Sequence, residues 1–337
     1  MEPTDLLALN VDEATALAEA GVDLREWSPL ADQPYLLLSH AESATAPAVL
    51  IDWLRGASCP VICESGLEDD LSRACDLLVA DRQAAAVVVN GITANPIAAA
   101  TLVQLMRITE SMPLFDALQV ESLAFATLQG GAEYAAWLQA NRAEAPFVPT
   151  DDGPAVIVSR EGGQVSLELN RASNRNAMSV EMRDALNEAL APLLQDASVK
   201  QLRITGCGKC FSTGGDLTEF GTVPDPATGH IVRSLTVPGR NLARWSERLG
   251  NACVAHVHGS CVGSGIEFPA FAGRVTASHD AWFQLPEVGM GLIPGAGGCI
   301  SIARRIGRQR TAWLAITGRR IKAERAAEWG LVDELLD

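Results

Sequence analysis

Positive charge is scarce in this chain: 26 Lys and Arg stand against 41 Asp and Glu, a formal net charge of -15 over 337 residues. A field of that sign repels phosphate, so a general basic surface for nucleic acid or anionic membrane is excluded, and a phosphate-bearing ligand has to meet a local Arg or Lys cluster. No stretch approaches the roughly 20 uninterrupted apolar residues of a membrane span. The first residues, MEPTDLLALNVDEA, are acidic rather than a basic start followed by an apolar run. A soluble, cytoplasmic protein without nucleic-acid or membrane partners is expected. Low-complexity tracts and clear short-period repeats are also missing. Metal-ligand spacing is poor too: Cys207-Gly208-Lys209-Cys210 is a CxxC with no second pair or nearby histidine to complete a zinc site. No metal is expected. The eight cysteines (59, 63, 75, 207, 210, 253, 261 and 299) are scattered, and a chain this long does not need disulfides, so reduced thiols are the expectation.

What is present is ordinary globular composition, 48% hydrophobic and 20% charged, at a length that suits two medium domains or one large domain with an extension. Residues 1–34 carry short helical patterns, with Val11, Ala14, Leu17 and Ala18 at three- and four-residue steps. Residues 35–39, 60–63 and 85–90 are apolar runs that read as strands, with a helical stretch over 67–79. A small α/β region over 1–94 follows. From Asn95 the pattern changes to NPIAAATLVQLMRITESMPLFDALQVESLAFATLQGGAEYAAWLQANR, with Pro96 at a helix start and Gly130-Gly131 as a stop. Two or three helices over 95–142 are expected. AEAPFVPTDDGPA then collects three prolines with Asp151, Asp152 and Gly153, which is linker chemistry over 143–154.

Beyond the linker, residues 155–160 and 164–170 form a hairpin pattern around Glu161-Gly162-Gly163, and 179–194 reads as an amphipathic helix. Strand patterns recur at 201–205, 252–258 and 273–277 with helices between them, so 155–337 reads as an α/β layer structure. His256 and His258 alternate on one strand face, which suits core or interface packing. Arg304, Arg305, Arg308 and Arg310 could face phosphate, but a solvated helix surface is the preferred reading. The stretch 259–298 places Glu267 and Glu287, twenty residues apart, each beside glycine-rich chain. Missing side chains there would let a ligand approach the backbone closely, although glycine is also the usual residue of plain turns.

Four segments carry a resemblance: LELNRASNRNAMSVEMRDAL (167–186), CFSTGGDLTEF (210–220), HGSCVGSGIEF (258–268) and LPEVGMGLIPGAGG (285–298), followed by RIGRQRTAWLAITGRRIKAERAAEWGLVDEL. In this order and spacing they resemble the crotonase (enoyl-CoA hydratase/isomerase) family over about 155–337. The resemblance implies a crotonase-like (ββα) spiral core acting on an acyl-CoA thioester, with CoA as part of the substrate and no separate cofactor, in a trimer or hexamer. Chemistry through an enolate needs donors aimed at the thioester oxygen, each worth roughly 2.7–4 kcal/mol. The resemblance assigns these to the backbone amides of Thr213 and Ser264, the latter near a helix N-terminus. Gly214, Gly215, Gly263 and Gly265 would allow close approach, and Glu267 and Glu287 would be the acid/base pair handling water and proton in syn hydration of a 2-enoyl-CoA. Ser212, Pro286 and Gly295 belong to the same ligand-binding motifs, and Asp216 would cap or brace the oxyanion loop. Arg171 and Arg175 would lie where the family approaches CoA, with a solvated basic loop as the other reading. Isomerisation, hydration coupled to cleavage, and a non-catalytic CoA-thioester-binding or assembly subunit remain alternatives.

Departures from the family pattern are also expectations. Ala172 replaces a usual proline, Gly273 a usual aspartate, and Pro269 falls inside the helix that should start near Ser264, where it removes a donor and should kink or stop the helix. The chain ends after GLVDEL, where crotonases continue into covering helices, and 95–142 resembles those helices placed before the core. A relocated cover, by permutation or from an eroded first copy, is the expectation.

Overall fold

Period-two burial builds the central sheet. The computed structural model describes residues 6–40, 46–66, 68–141, 145 and 147–336; of the linker 143–154, residues 143, 144 and 146 lie outside them. The chain begins with β1 (Leu9–Asn10), α1 (Val11–Glu19), β2 (Leu36–Ser39), α2 (Ala48–Arg55), β3 (Val61–Glu64), α3 (Asp70–Ala74), β4 (Leu77–Val79) and α4 (Arg82–Ala94). Three further helices follow, α5 (Pro96–Thr109), α6 (Leu114–Gln129) and α7 (Ala132–Asn141). Then come β5 (Val156–Glu161), β6 (Gln164–Leu169), α8 (Val180–Leu193), β7 (Gln201–Gly206), α9 (Pro226–Thr236), α10 (Gly239–Leu249), β8 (Cys253–Val257), β9 (Ser260–Val262) and α11 (Ser264–Glu267). The chain closes with β10 (Arg274–Ser278), β11 (Trp282–Gln284), α12 (Gly298–Ile306), α13 (Arg308–Thr317), β12 (Ile321–Lys322), α14 (Ala323–Trp329) and β13 (Glu334–Leu336).

On β6, Val165, Leu167 and Leu169 are fully buried while the residues between them are not, and β8 repeats this with Cys253, Ala255 and Val257. These strands form a six-stranded sheet in the order β13-β10-β8-β7-β6-β5, parallel except for the β5/β6 hairpin. A three-stranded sheet, β12-β11-β9, stands beside it, and the N-terminal strands make a separate parallel sheet, β1-β2-β3-β4. Parallel strands joined by helices give the α/β class, and α8 starts where Ser179 accepts the Met182 amide at its N-cap.

Two readings of the N-terminal region are corrected. The 85–90 run is not a strand but the middle of α4, which Asp81 caps and whose Ala85, Ala86, Val88, Val89 and Ile92 are buried. An apolar run this long and buried on most sides suits a helix as well as a strand, and tertiary packing decided: a Cβ on Gly91 would stand 2.2 Å from the Ile316 carbonyl of α13. The expected helix over 67–79 ends at Ala74, and β4 occupies its last part; residue 67 lies outside the described residues.

The Arg304–Arg310 run is a solvated surface only in part: Arg304 and Arg310 are exposed, while Arg305 and Arg308 are half-buried. Arg304 donates to the Met112 carbonyl and Arg305 to the carbonyls of Ala270 and Ala272, while Arg310 lies over the Trp329 ring. Arg308 meets Asp76, and Arg107 of α5 binds the same carboxylate through two nitrogens. Asp76 is 2% exposed and also accepts the Val61 amide at 2.8 Å. One carboxylate therefore ties the N-terminal sheet, the helices of 96–141 and the main core together. Among the described residues no single helix is long and apolar enough to cross a membrane; α4 and α5 pass that test only as a pair bent by 108°.

Removing one partner of a buried ion group leaves the others desolvated and unpaired. Asp76→Asn is expected to lower the unfolding free energy by roughly 3–5 kcal/mol in urea titrations. A loss below about 1 kcal/mol, the range of exposed ion pairs, would show that the carboxylate does not tie these parts together.

Candidate active site

Two loops at the strand ends lie side by side. Val262 donates to the Ser212 carbonyl at 3.1 Å and Ser212 to that of Ser260 at 3.2 Å, so the 211–216 loop follows β9 in register. A Cβ on Gly265 would stand 2.4 Å from the Ser212 carbonyl, and one on Gly214 2.8 Å from that of Val262. Glycine at these places is what permits the approach. Pro269 does stop the helix: α11 is a single turn, followed by a short 3-10 turn at Pro269–Phe271. A four-residue helix has little macrodipole, so what Ser264 offers is its local amide rather than a helix end. Gly273 has a steric reason, since a Cβ there would stand 2.0 Å from the Gly250 carbonyl.

The Thr213 assignment is corrected. Its amide is committed to the Arg175 carbonyl at 3.2 Å, and Gly214 donates to Ser212 Oγ at 3.3 Å. Two residues on, the amide of Gly215 has no partner among the described residues, and neither does that of Ser264. Within FSTGGDL only the hydrogen bonds distinguish the two amides. Asp216 braces this loop as expected, its Oδ1 accepting the Thr218 amide and hydroxyl at 2.9 and 2.7 Å. Ser212 is fully buried, and its Oγ accepts the Gly214 amide. Arg171 is 5% exposed and donates to Glu181, so it is neither a solvated basic residue nor free for CoA. Arg175 is exposed, in the left-handed region at φ 59°.

Both glutamates converge on Gly263. A Cβ at that glycine would lie 2.4 Å from Glu287 Oε1 and 3.9 Å from Glu267 Oε1. Glu267 is 2% exposed and its Oε2 accepts the amides of Ala296 and Gly298, both at 2.8 Å. Burial raises its pKa to about 7, with those two amides and Arg233 acting against the rise. Glu287, at the start of the 3-10 turn after Pro286, is half-buried, and its Oε2 is covered and without a partner. Desolvation first, then the charge of Glu267, pushes its pKa well above the ordinary carboxylate range. The two carboxyl groups thus differ in kind: Glu267 keeps two neighbouring amides for its charged form, whereas Glu287 has only its own backbone amide and leaves Oε2 without a donor.

Two further charged groups at this place were not legible in the sequence. Glu121 of α6 is 2% exposed, with its carboxylate on the Gly297 and Cys299 amides. Arg233 of α9 lies over the Phe125 ring at 3.9 Å and donates to Gln129, and its Nη1 is buried without a partner. Burial lowers its pKa to about 10, opposed by the charges of Glu121 and Glu267. Among the described residues four buried side-chain polar atoms lack a hydrogen bond, and Ser264 Oγ, Glu287 Oε2 and Arg233 Nη1 are three of them. Orphaned polar atoms are rare in native interiors, so their clustering marks a place built for something other than stability. The helices of 96–141 lie on this place: a Cβ on Gly295 would stand 2.1 Å from the Phe125 ring, and one on Gly291 2.5 Å from the Tyr134 amide.

The other candidates have structural partners. His256 bonds Thr276 Oγ1 at 3.0 Å and His258 donates to the Gly208 carbonyl at 3.1 Å. Cys207 and Cys210 are unbridged, and burial pushes both thiols up.

The folded protein holds a proton on Glu267 up to about pH 7, while the unfolded chain releases it near 4.5. Between those values the folded state binds more protons, so this group makes stability fall as pH rises, by up to roughly 1.4 kcal/mol per pH unit. Urea unfolding from pH 4.5 to 7.5 is expected to show a shallower fall for Glu267→Gln than for wild type. Parallel curves for the two would contradict the shift.

Known proteins bear on this site as follows. The family model described as enoyl-CoA hydratase/isomerase matches residues 160–337. The 1,2-epoxyphenylacetyl-CoA isomerase of Escherichia coli is 32% identical over 180 residues, covering 52% of this chain and 68% of that protein. The 2,3-dehydroadipyl-CoA hydratase of the same organism is 31% identical, covering 53% and 68%. A solved structure from Mycobacterium abscessus, assigned to the enoyl-CoA hydratase/isomerases, superposes with a TM-score of 0.50 at 28% identity, over 54% of this chain and 71% of that one. By family model, by relatives and by fold, the chain belongs to the enoyl-CoA hydratase/isomerase family.

Proposed function

We propose that this protein catalyses the reversible syn addition of water to a 2-enoyl-CoA thioester. The observation that carries the reading is the convergence of Glu267 and Glu287 on Gly263, with opposite provision for charge. In the scheme, the unpartnered amides of Gly215 and Ser264 receive the thioester oxygen as it gains negative charge, which requires donors already fixed in place. Glu267, whose ionised form is held by the Ala296 and Gly298 amides and by Arg233, takes a proton from the water that attacks C3. Glu287, kept protonated by desolvation and by its neighbour's charge, delivers its proton to C2. The sum is water across one double bond, with both carboxyl groups restored by proton exchange. Protons and water suffice, so the scheme calls on no metal or redox cofactor.

In the same reading α5–α7 close the acyl pocket, standing where the family's C-terminal helices would be. Arg175, exposed beside the oxyanion loop, is the basic residue left to meet the CoA end, since Arg171 is held by Glu181.

Crotonyl-CoA tests the reading through the loss of the conjugated thioester absorbance, followed by a panel of longer and substituted 2-enoyl-CoAs. Glu267→Gln and Glu287→Gln are each expected to lower kcat by roughly a hundredfold, the lower scale of general acid or base removal. Near-wild-type hydration by either variant would sink its assignment. Conjugation that grows from a 3-enoyl-CoA, without water uptake, would transfer the same site to isomerisation.

A further inference from the structure

The turn at Ala296–Cys299 carries a pattern that the hydration scheme does not use. Its four successive amides alternate between two carboxylates from distant parts of the chain. Ala296 and Gly298 donate to Glu267 Oε2, both at 2.8 Å. Gly297 donates to Glu121 Oε1 at 2.7 Å and Cys299 to Glu121 Oε2 at 3.0 Å. Gly297 sits at φ 102°, where a side chain is strained, and it is the N-cap of α12 yet has no side chain to cap with. The first amides of α12 are therefore capped from outside, by Glu267 and by Glu121.

Amides alternating in this way are mechanically linked. Each peptide unit is planar, so turning one N–H away from its partner turns its neighbours. We propose that Glu121 is a positioning residue for Glu267: by clamping the Gly297 and Cys299 amides it keeps those of Ala296 and Gly298 aimed at the Glu267 carboxylate. The proposal rests on the hydration reading for its consequence in turnover, but the clamp can be measured without turnover.

Several observations favour a clamp over ordinary packing. Glu121 is a carboxylate at 2% exposure on a helix whose other buried side chains, Ser122 apart, are apolar, a costly position unless its hydrogen bonds are needed. It makes no ion pair among the described residues. Its neighbour Ser122 fixes the helix on α9 through His230, at 2.9 Å to Nδ1, so the carboxylate cannot drift away from the turn. Around it stand Glu267, Glu287, Arg233 and the Cys299 thiol, with Arg240 on the same narrow slot. Burial and the charge of Glu267 raise its own pKa well above the usual range, and the two amides and Arg233 act against the rise.

Glu121→Gln separates clamp from charge, because the two predict opposite signs. A carboxamide accepts one amide and opposes the other with its own N–H groups, so the turn relaxes and Glu267 loses donors that hold its charged form. Its pKa should then rise. Removal of a neighbouring negative charge alone would lower it. The measurement is a 13C titration of glutamate carboxyl carbons, with the Glu267 signal assigned by its loss in Glu267→Gln. The expected result is an upward shift for Glu267, with kcat for crotonyl-CoA down roughly a hundredfold, as for a displaced catalytic group, and KM little changed. A Glu267 that titrates unchanged, or lower, overturns the proposal. Should Glu121→Gln fail to fold, Glu121→Asp is read by the same criterion, since its shorter side chain cannot span both amides. A wild-type protein without hydratase activity defeats the hydration reading, and the titration still decides on Glu121.

Discussion

Placing carboxylates away from water is the constraint around which this structure is arranged. An ionised carboxylate in a dry interior is tolerated only when donors replace its hydration. The 296–299 turn supplies four such donors to Glu267 and Glu121, whereas Glu287 Oε2 receives none. The glycines of the last motif follow from that arrangement. A Cβ on Gly298 would lie 2.5 Å from Glu267 Cγ, one on Gly297 2.4 Å from the Phe271 ring, and one on Gly295 2.1 Å from the Phe125 ring. They are absences of side chain that leave room for the carboxylate on one side and for Phe125 of α6 on the other.

Charge also binds the chain's three parts. Asp76 belongs to the N-terminal sheet, Arg107 to α5 and Arg308 to α13, and each would be left desolvated without the others. Glu133 of α7 accepts the amides of Ile97 and Ala98 at 2.8 and 2.9 Å, capping α5 at a terminus whose N-cap residue makes no side-chain bond. The N-terminal 141 residues thus contribute a carboxylate and an aromatic ring to the site's surroundings, and they fix those groups by contacts along most of their own length.

Local periodicity made the main sheet legible in the sequence. Val165, Leu167 and Leu169 alternate with polar residues, and the hairpin turn at Gly162-Gly163 stands where it was expected. Glu267 and Glu287 were legible because each sits in a motif whose glycines have a steric duty. The run 85–90 misled because burial of four of its six residues blurs the periodic signal that separates helix from strand. The Arg304–Arg310 run misled at Arg305 and Arg308, because exposure was inferred from charge while Asp76 and Arg73, both of which Arg308 meets, lie more than two hundred residues upstream. Glu121 and Arg233 were invisible for the same reason: the alternation of amides exists only after folding. A glutamate set among apolar residues in QVESLAF was the one available signal, and alone it would have read as a helix-surface charge.

The order of these parts along the chain has a consequence in time. The ribosome makes α6 well before its docking surface: 178 residues separate Glu121 from Cys299. At about 5–20 residues per second that interval is roughly 9–36 s. Throughout it a finished helical hairpin must hold Glu121 and Phe125 against water or provisional contacts, with no turn yet to receive them. A covering element translated last would close over a completed sheet. Here α6 is made first, and the nascent chain has to grow the turn it docks on afterwards.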